Sequence, residues 1–168
     1  MIRKAERKDI NRMAEIETFV SRYNFKGLFS NEFLYTEITF DYNRDWISKS
    51  FNYMENNRRT EYYVIEDEKI IKGWFSIGFS ENSNEINECV LTNIRIDVPF
   101  QYSKFGTLAL DFCFTLMKEK GIKIMRLHTF EGNTMAIKFY EKNGFKFESK
   151  YYSEKFNINF LNYKKELE

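Results

Sequence analysis

The most restrictive feature of this sequence is a series of three strand-like segments that leads directly into an amphipathic helix. The segments are rich in β-branched and aromatic residues, and short polar turns separate them. They span Glu61 to Glu66, Lys69 to Ser80 and about Ile86 to Val98, with turns at Asp67-Glu68 and at Glu81 to Asn84. Such short connections predict an antiparallel meander.

The helix after the meander begins beyond Pro99, the single proline of the chain, and a polar loop. Apolar residues recur at helical spacing on one face, at Phe105, Leu108, Ala109, Phe112 and Leu116. Gly121 suits the end of this helix because glycine readily adopts the left-handed backbone of a C-terminal cap. A helix therefore follows a strand with only a short loop between them.

The remaining segments complete the order of elements. Before the meander, the spacing predicts a strand at Met1 to Ala5, a helix that opens at Asp9, and a helix at about Asn43 to Asn56. After it come a strand at Ile122 to Thr129, a helix at Asn133 to Lys142 that ends at Gly144, and strands at Phe145 to Tyr152 and Phe156 to Lys164. This order predicts an α/β (α+β) fold, with a mixed, mostly antiparallel central sheet of about seven strands flanked by helices.

Nothing in the sequence marks a domain boundary, because it has no Gly/Ser-rich linker, no long block of like charge and no repeat. We therefore expect residues 1–168 to form a single domain. The net charge of +1 gives no overall field for a polyanion, so nucleic acid is not an expected partner.

The only two cysteines, Cys89 and Cys113, lie inside apolar runs and are expected to be buried, reduced hydrophobic residues. The charged N-terminus lacks the apolar core of a secretory signal, and no segment has the length and apolarity of a membrane span. The expectation is a cytoplasmic protein without a membrane partner.

The junction from Ile94 to Thr107 runs from a strand through a loop into a helix N-terminus. Free backbone N–H groups and the positive end of the helix dipole can hold phosphate oxygens at such a place. Most junctions of this kind bind nothing, so this pattern needs independent support.

That support comes from three stretches of the sequence. The first is Ile94-Arg95-Ile96, the second runs from Gln101 to Gly106, and the third carries Asn133, Ala136, Tyr140, Gly144 and Phe145 at fixed spacing. Together they resemble the GCN5-related N-acetyltransferase (GNAT) family, whose closing helix commonly reads Asn-x-x-Ala-x-x-x-Tyr-x-x-x-Gly-Phe. The resemblance covers nearly the whole order of elements, and it implies the acyl-CoA N-acyltransferase fold.

The resemblance implies acetyl-coenzyme A as the acyl donor, without a metal. Backbone contacts to its pantetheine arm fall to Ile94, Arg95 and Ile96, although the Arg95 side chain itself can simply face solvent. The implied donors to the diphosphate are Gln101, Tyr102, Ser103, Lys104, Phe105, Gly106 and Thr107. Asn133, Ala136 and Tyr140 are the implied contacts on the closing helix, where Asn133 also suits the N-cap.

Lys104 departs from the family's loop pattern, Arg/Gln-x-x-Gly-x-Gly/Ala, in which a glycine occupies this position. A left-handed backbone at Lys104 would cost roughly 1–2 kcal/mol. The ammonium group would either pair with a phosphate or remain an exposed loop lysine.

Acetyl transfer to an amine first requires loss of a proton, and a neutral lysine-like amine at pH 7 costs about 4.6 kcal/mol. Glu88, at the start of the strand that leads into the loop, is the first candidate for the base, by analogy with the family. Glu85 and a water held by Thr92 or Asn93 are the rivals, and an ordinary surface glutamate is the alternative interpretation of Glu88.

The leaving thiolate requires a proton, and Tyr140 matches the family's position for that acid. A backbone N–H near Ile96 would meet the carbonyl oxygen. His128, the only histidine, is interpreted as structural. The resemblance implies that the acceptor lies against Tyr23 to Tyr53. The aromatic residues of this region would line a pocket or belong to the core: Tyr23, Phe25, Phe29, Phe33, Tyr35, Phe40 and Tyr42.

The predicted function is transfer of acetyl from acetyl-coenzyme A to a primary amine by direct attack, as implied by the resemblance. One alternative is a non-catalytic ligand- or acyl-CoA-binding module of the same fold. Another is an RNA-directed acetyltransferase acting on charged tRNA, for which Arg58-Arg59 gives little support at this net charge. A homodimer is possible within the family.

Overall fold

The computed structural model describes residues 1–57, 60–79 and 87–167. Within these ranges the helices are Ile10–Asn24 (α1), Asn31–Thr36 (α2), Phe40–Asn57 (α3), Phe105–Lys120 (α4) and Thr134–Lys142 (α5). The strands are Ile2–Lys4 (β1), Thr60–Asp67 (β2), Ile70–Phe79 (β3), Glu88–Ile96 (β4), Ile124–Phe130 (β5), Lys146–Ser153 (β6) and Ile158–Glu166 (β7). The predicted turn at Glu81 to Asn84, together with Glu85 and Arg58-Arg59, lies outside the described residues.

The predicted fold is confirmed. Seven strands form one sheet in the order β1-β2-β3-β4-β5-β7-β6. All pairs are antiparallel except β4 with β5, and β2, β3 and β4 form the predicted meander. The mixed sheet follows from the connection through α4, which returns the chain in the same direction.

Two local predictions need correction. The turn between β2 and β3 lies at Glu68 and Lys69, one residue later than predicted, and both have positive φ (52° and 63°) as a type I′ hairpin requires. The short helix α2 was not predicted, because six residues give too little periodicity. Its N-cap is Ser30, whose hydroxyl accepts a hydrogen bond from the Phe33 amide at 3.1 Å.

Helices cover the sheet on both faces, as the adjacent and fully buried residues Trp74 and Phe75 of β3 show. Successive strand residues point to opposite faces. Trp74 meets Trp46 of α3 at a ring distance of 6.3 Å, whereas Phe75 meets Phe112 of α4 at 5.8 Å. The near-continuous apolar run of β3 therefore reflects burial on both sides.

The two cysteines are free and buried, as the sequence predicts. Both pack in the core cluster beneath α4, and burial raises the pKa of the Cys89 thiol to about 12. Among the described helices, none has both the length and the apolarity needed to cross a membrane.

The feature that positions the site is the separation of β4 from β5. Their parallel pairing is limited to Glu88–Ile124, Cys89–Met125 and Val90–Arg126. Beyond these pairs, β4 continues along β3 as far as Ile96, and β5 continues along β7 as far as Phe130. A bulge at Thr92, where Ser76 faces Asn93 and Ile77 faces Leu91, accompanies the start of this divergence.

Candidate functional site

A cleft of about 1380 Å³ opens where β4 and β5 diverge. The end of β4, the loop after it and the first turns of α4 form one wall, and the end of β5 with α5 forms the other. Of the residues that the sequence assigns to the site, the cleft is lined by Ile94, Arg95, Ile96, Gln101, Tyr102, Lys104, Gly106, Thr107, Asn133, Ala136 and Tyr140. Ser103, Phe105 and Glu88 do not line it.

In the loop before α4, the backbone of Lys104 is left-handed, with φ 70°, at the position where the family's loop pattern has glycine. Tyr102 is also left-handed (φ 62°), which the sequence did not reveal. No side chain caps α4, so the backbone N–H groups of its first turn are without helical partners. The Ser103 hydroxyl is used inside the loop, where it donates a hydrogen bond to the Phe100 carbonyl. This geometry suits an anion bound at the N-terminus of α4.

Buried charges hold the start of this loop in place. The Asp97 carboxylate, at the end of β4, accepts a hydrogen bond of 2.5 Å from Arg12 of α1. Lys72 lies 5.0 Å from the ring centre of Phe100 and 5.4 Å from that of Phe105, and it pairs with Asp67 at 2.5 Å. The ring of Phe105 therefore anchors the loop beneath the cleft instead of lining it.

Gly106 is required by close packing, since its φ is an ordinary helical one. A Cβ atom at this position would lie 3.0 and 3.2 Å from two ring atoms of Phe139 on α5. The absence of a side chain lets α4 and α5 approach each other at the base of the cleft.

Basic side chains predominate among the charged residues that line the cleft. Arg95, Lys104, Lys138 and Lys142 line it, and among its described lining residues Asp111 is the one carboxylate. Lys138 and Lys142 were missed by sequence reasoning, although their spacing of four places them on one face of α5. The positive charge near the α4 N-terminus favours a polyanionic ligand.

The Arg95 side chain lines the cleft and is only partly exposed, with 23% of its surface accessible. Its Nε lies 2.8 Å from the Glu17 carboxylate on α1, without the alignment of a hydrogen bond. Its Nη1 donates to the Ile94 carbonyl at 3.2 Å. Gln101 in turn donates from Nε2 to the Ile96 carbonyl at 3.1 Å, while its buried Oε1 has no partner among the described residues.

Tyr140 is buried, with 7% of its surface exposed, and it lines the cleft. Burial raises the pKa of its hydroxyl to about 12, against a smaller opposing effect of the Arg95 charge. The group is therefore a neutral phenol at pH 7, able to donate a proton.

Asn133 occupies the N-cap position of α5, but its side chain does not cap the helix. Instead its amide Nδ2 donates to the Thr129 hydroxyl at 3.2 Å. The predicted position is correct and the predicted side-chain capping is wrong, because the amide turns into the cleft wall between β5 and α5.

Glu88 lies in the paired part of β4, before the strands diverge, and hence outside the cleft lining. Its carboxylate accepts hydrogen bonds of 3.0 and 3.2 Å from Arg126, which lower its pKa. Thr92 and Asn93 do line the cleft. The Thr92 hydroxyl lies 2.6 Å from that of Ser76, and the Asn93 amide donates to the same Ser76 hydroxyl at 3.2 Å.

His128, which the sequence analysis interprets as structural, lines the cleft from β5. Its ring edge packs on Phe160 at a centroid distance of 5.2 Å. Partial enclosure by the cleft walls lowers the pKa of the imidazole, so that it is neutral at pH 7. Alternation along β5 puts His128 on the same face as Phe130, a signal that was available in the sequence.

The aromatic residues of the first half divide into three groups. Phe25 lines the cleft, while Phe29 and Phe33 stack at 5.0 Å behind it. The remaining four predicted candidates are largely exposed: Tyr23, Tyr35, Phe40 and Tyr42. Phe130, Phe156 and Phe160 line the same end of the cleft as Phe25 and were not predicted.

In the part of the chain that the structure describes, no group of three or more His, Cys, Asp or Glu side chains is arranged to hold a metal ion.

Relatives of known name resemble this chain over most of its length. Spermidine N(1)-acetyltransferase of Thermoplasma acidophilum is 24% identical over 147 residues, which is 88% of each chain. The [ribosomal protein bS18]-alanine N-acetyltransferase of Haemophilus influenzae is 33% identical over 96 residues, or 57% of this chain and 63% of that protein.

Solved structures share the fold. The PaiA N-acetyltransferase of Thermoplasma acidophilum in complex with coenzyme A has a TM-score of 0.79 at 20% identity, covering 96% of each chain. The ribosomal-protein-S18-alanine N-acetyltransferase of Escherichia coli has a TM-score of 0.69 at 16% identity, covering 99% of this chain and 92% of that one.

The sequence model of the acetyltransferase (GNAT) family matches residues 31–145, which is more than half of the chain. The matched residues include both cleft walls, from the end of β4 to α5. The chain therefore belongs to the acetyltransferase (GNAT) family and is an acetyl-CoA-dependent N-acetyltransferase.

Proposed function

We propose that the protein transfers the acetyl group of acetyl-coenzyme A to a primary amine by direct attack within a ternary complex. The observation that carries this proposal is the divergence of β4 from β5 beside the uncapped N-terminus of α4. The names of both relatives give an amine-bearing acceptor, which is spermidine in one and an alanine of ribosomal protein bS18 in the other.

Donor binding uses the end of the cleft around α4 and α5, here called the donor end. The N–H groups of residues 104–107 and the ammonium groups of Lys104, Lys138 and Lys142 bind the phosphates. The backbone of Ile94, Arg95 and Ile96 binds the amide-bearing arm along the free edge of β4. Asn133 and Ala136 contact it from the opposite wall.

Acetyl-coenzyme A supplies an activated acetyl group and a thiolate leaving group when it is bound. The amine nitrogen forms a bond to the thioester carbonyl carbon, and the carbon–sulfur bond breaks. Tyr140 donates its phenolic proton to the departing sulfur, for which its neutral state at pH 7 is suitable. A backbone N–H near Ile96 stabilises the negative charge on the carbonyl oxygen.

The proton lost by the amine passes to a water held by Thr92 and Asn93, and from there to His128. These groups lie on facing sides of the divergence and line the cleft. The neutral imidazole is able to accept a proton at pH 7. Glu88 is the alternative base, although its ion pair with Arg126 lies outside the cleft lining.

The test combines calorimetric binding of coenzyme A with thiol release from acetyl-coenzyme A across a panel of primary amines. We expect micromolar coenzyme A binding and turnover with at least one amine. Binding without turnover of any amine would favour a binding module, and absence of both would contradict the proposal.

Glu88→Gln serves as the internal comparison in the same assay. Turnover within twofold of the parent is expected, because the carboxylate is engaged by Arg126 away from the cleft. A loss of 100-fold or more would reinstate Glu88 as the base.

A further inference from the structure

Opposite the donor end, aromatic rings from three separate elements close the cleft. These are Phe25 after α1, Phe130 at the end of β5, and Phe156 and Phe160 at the β6–β7 hairpin, here called the aromatic wall. Phe130 lies 5.0 Å from Phe25, 5.7 Å from Phe156 and 4.5 Å from Phe160, as ring centroid distances. This end of the cleft therefore presents a continuous apolar surface.

Other aromatic residues hold the aromatic wall from behind. Phe29 packs edge-on against Phe130 at 5.2 Å, and Tyr151 stacks on Phe160 at 5.2 Å with nearly parallel rings. These contacts fix the orientation of the rings before a ligand arrives. A preformed apolar surface loses little conformational freedom when an apolar group binds to it.

Among the residues that the structure describes, none that lines the cleft beside the aromatic wall carries a carboxylate. Asp111, the one carboxylate among the described lining residues, belongs to α4 at the donor end. Glu131 follows Phe130 in sequence, but it does not line the cleft, and its oxygens bind Asn159 at 2.7 Å and Lys150 at 3.3 Å. A second ammonium group on the acceptor would lose its hydration here without gaining an ionic partner.

One polar atom in this region is unpaired. Asn24, the last residue of α1, lines the cleft beside Phe25, and its buried Oδ1 has no hydrogen-bond partner among the described residues. A carbonyl oxygen of this kind can accept one N–H of an acceptor. The region therefore offers an unpaired carbonyl oxygen beside the apolar surface.

We infer that the acceptor is a primary amine carried by an aromatic or bulky apolar group, without a second ammonium group. This rests on the proposed function, and it differs from the polycationic substrate in the name of the spermidine relative. The aromatic wall binds the apolar group, and Asn24 contacts a polar group next to it. The ligand is either a free arylalkylamine or a peptide with an aromatic N-terminal residue.

The test compares kcat/KM for 2-phenylethylamine, a tripeptide with N-terminal phenylalanine, and spermidine, at saturating acetyl-coenzyme A. We expect at least one of the two aromatic amines to exceed spermidine by tenfold or more, and the better of them identifies the source. A preference for spermidine would overturn the inference and leave the proposed function intact. Coenzyme A binding without turnover of any amine would instead overturn the proposed function.

Two substitutions of Phe156, in the hairpin loop, sharpen the test. Phe156→Ala should lower kcat/KM for the preferred aromatic amine about tenfold, mainly through KM. Phe156→Glu should in addition raise kcat/KM for spermidine relative to kcat/KM for the aromatic amine by tenfold or more, since it supplies a carboxylate. Coenzyme A affinity within twofold of the parent shows that each variant is folded.

Phe19→Ala is the matched control, because Phe19 is 54% exposed on α1 and does not line the cleft. Phe19→Ala should leave kcat/KM for all three amines within twofold of the parent values. An equal loss in Phe19→Ala and Phe156→Ala, or unchanged kcat/KM in Phe156→Ala, would contradict a role for the aromatic wall.

Discussion

The two ends of the cleft are built in different ways. The donor end comes from two continuous stretches, residues 94–107 and 133–145, and uses backbone N–H groups, a helix N-terminus and lysines. The aromatic wall instead gathers side chains from positions as distant as Phe25 and Phe160. Binding of a common donor thus depends on local backbone geometry, whereas acceptor choice depends on tertiary packing.

The largest effect is expected from Tyr140→Phe, which removes the proton donor where both ends meet. It should lower kcat about 100-fold and leave the coenzyme A Kd within twofold, because the ring remains in place. Thiol release and calorimetry measure the two quantities. Tyr163→Phe is the control, since its buried ring lies outside the cleft lining and its hydroxyl donates to Glu141 at 3.2 Å. Unchanged kcat in Tyr140→Phe would exclude the proposed acid.

His128→Gln tests whether proton removal belongs to the acceptor side of the cleft. Because partial enclosure by the cleft walls lowers the pKa of the imidazole from its ordinary value, the parent kcat should fall only on the acid side of that ordinary value, where the base becomes protonated. Arg126, Glu88 and Lys164 are the charged neighbours on this sheet face.

His128→Gln should lower kcat about tenfold at pH 7.5 and should flatten the acid limb in the profile of kcat against pH. An acid limb identical to that of the parent would assign the titration to another group.

Gly106→Ala is expected to damage the donor end alone. The new methyl group would press on the Phe139 ring at about 3 Å, so the coenzyme A Kd should rise about tenfold while the KM of the amine stays within twofold. Phe139→Leu in the same chain should restore part of the affinity. Gly78→Ala is the control, because its nearest non-neighbouring atom would lie 3.7 Å away. An equal rise in the coenzyme A Kd and in the KM of the amine would contradict the separation of the two ends.

The smallest effect is expected at Lys104, where strain and charge oppose each other. Lys104→Gly relieves the left-handed backbone and should raise the free energy of unfolding by about 1 kcal/mol, measured by urea denaturation. It also removes an ammonium group, so the coenzyme A Kd should rise a few-fold. Lys104→Ala should weaken binding equally without the gain in stability. An unchanged Kd in both variants would make Lys104 an ordinary loop lysine.

The contrast between the donor end and the aromatic wall also explains which features could be predicted from the sequence. The order of elements was predictable, because periodicity and glycine caps are local signals. The left-handed backbone of Lys104 agrees with the glycine that the family's loop pattern has at this position. The position of Tyr140 in the cleft was implied by the resemblance of the closing helix to the family's motif.

Other features depend on contacts between distant segments. The separation of Glu88 from the cleft follows from where β4 stops pairing with β5, which no local pattern encodes. The burial of Arg95 against Glu17 requires the position of α1. The aromatic wall needs the β6–β7 hairpin to lie beside the end of α1, so the exposed Tyr23 and Tyr35 could not be distinguished in advance from Phe25.

The most direct test of the central claim is a crystal structure of the protein with coenzyme A. We predict the diphosphate on the N–H groups of residues 104–107, with Lys104 and Lys138 beside it and the arm between β4 and β5. Coenzyme A bound elsewhere, or a loop whose N–H groups make no contact with phosphate, would contradict the account.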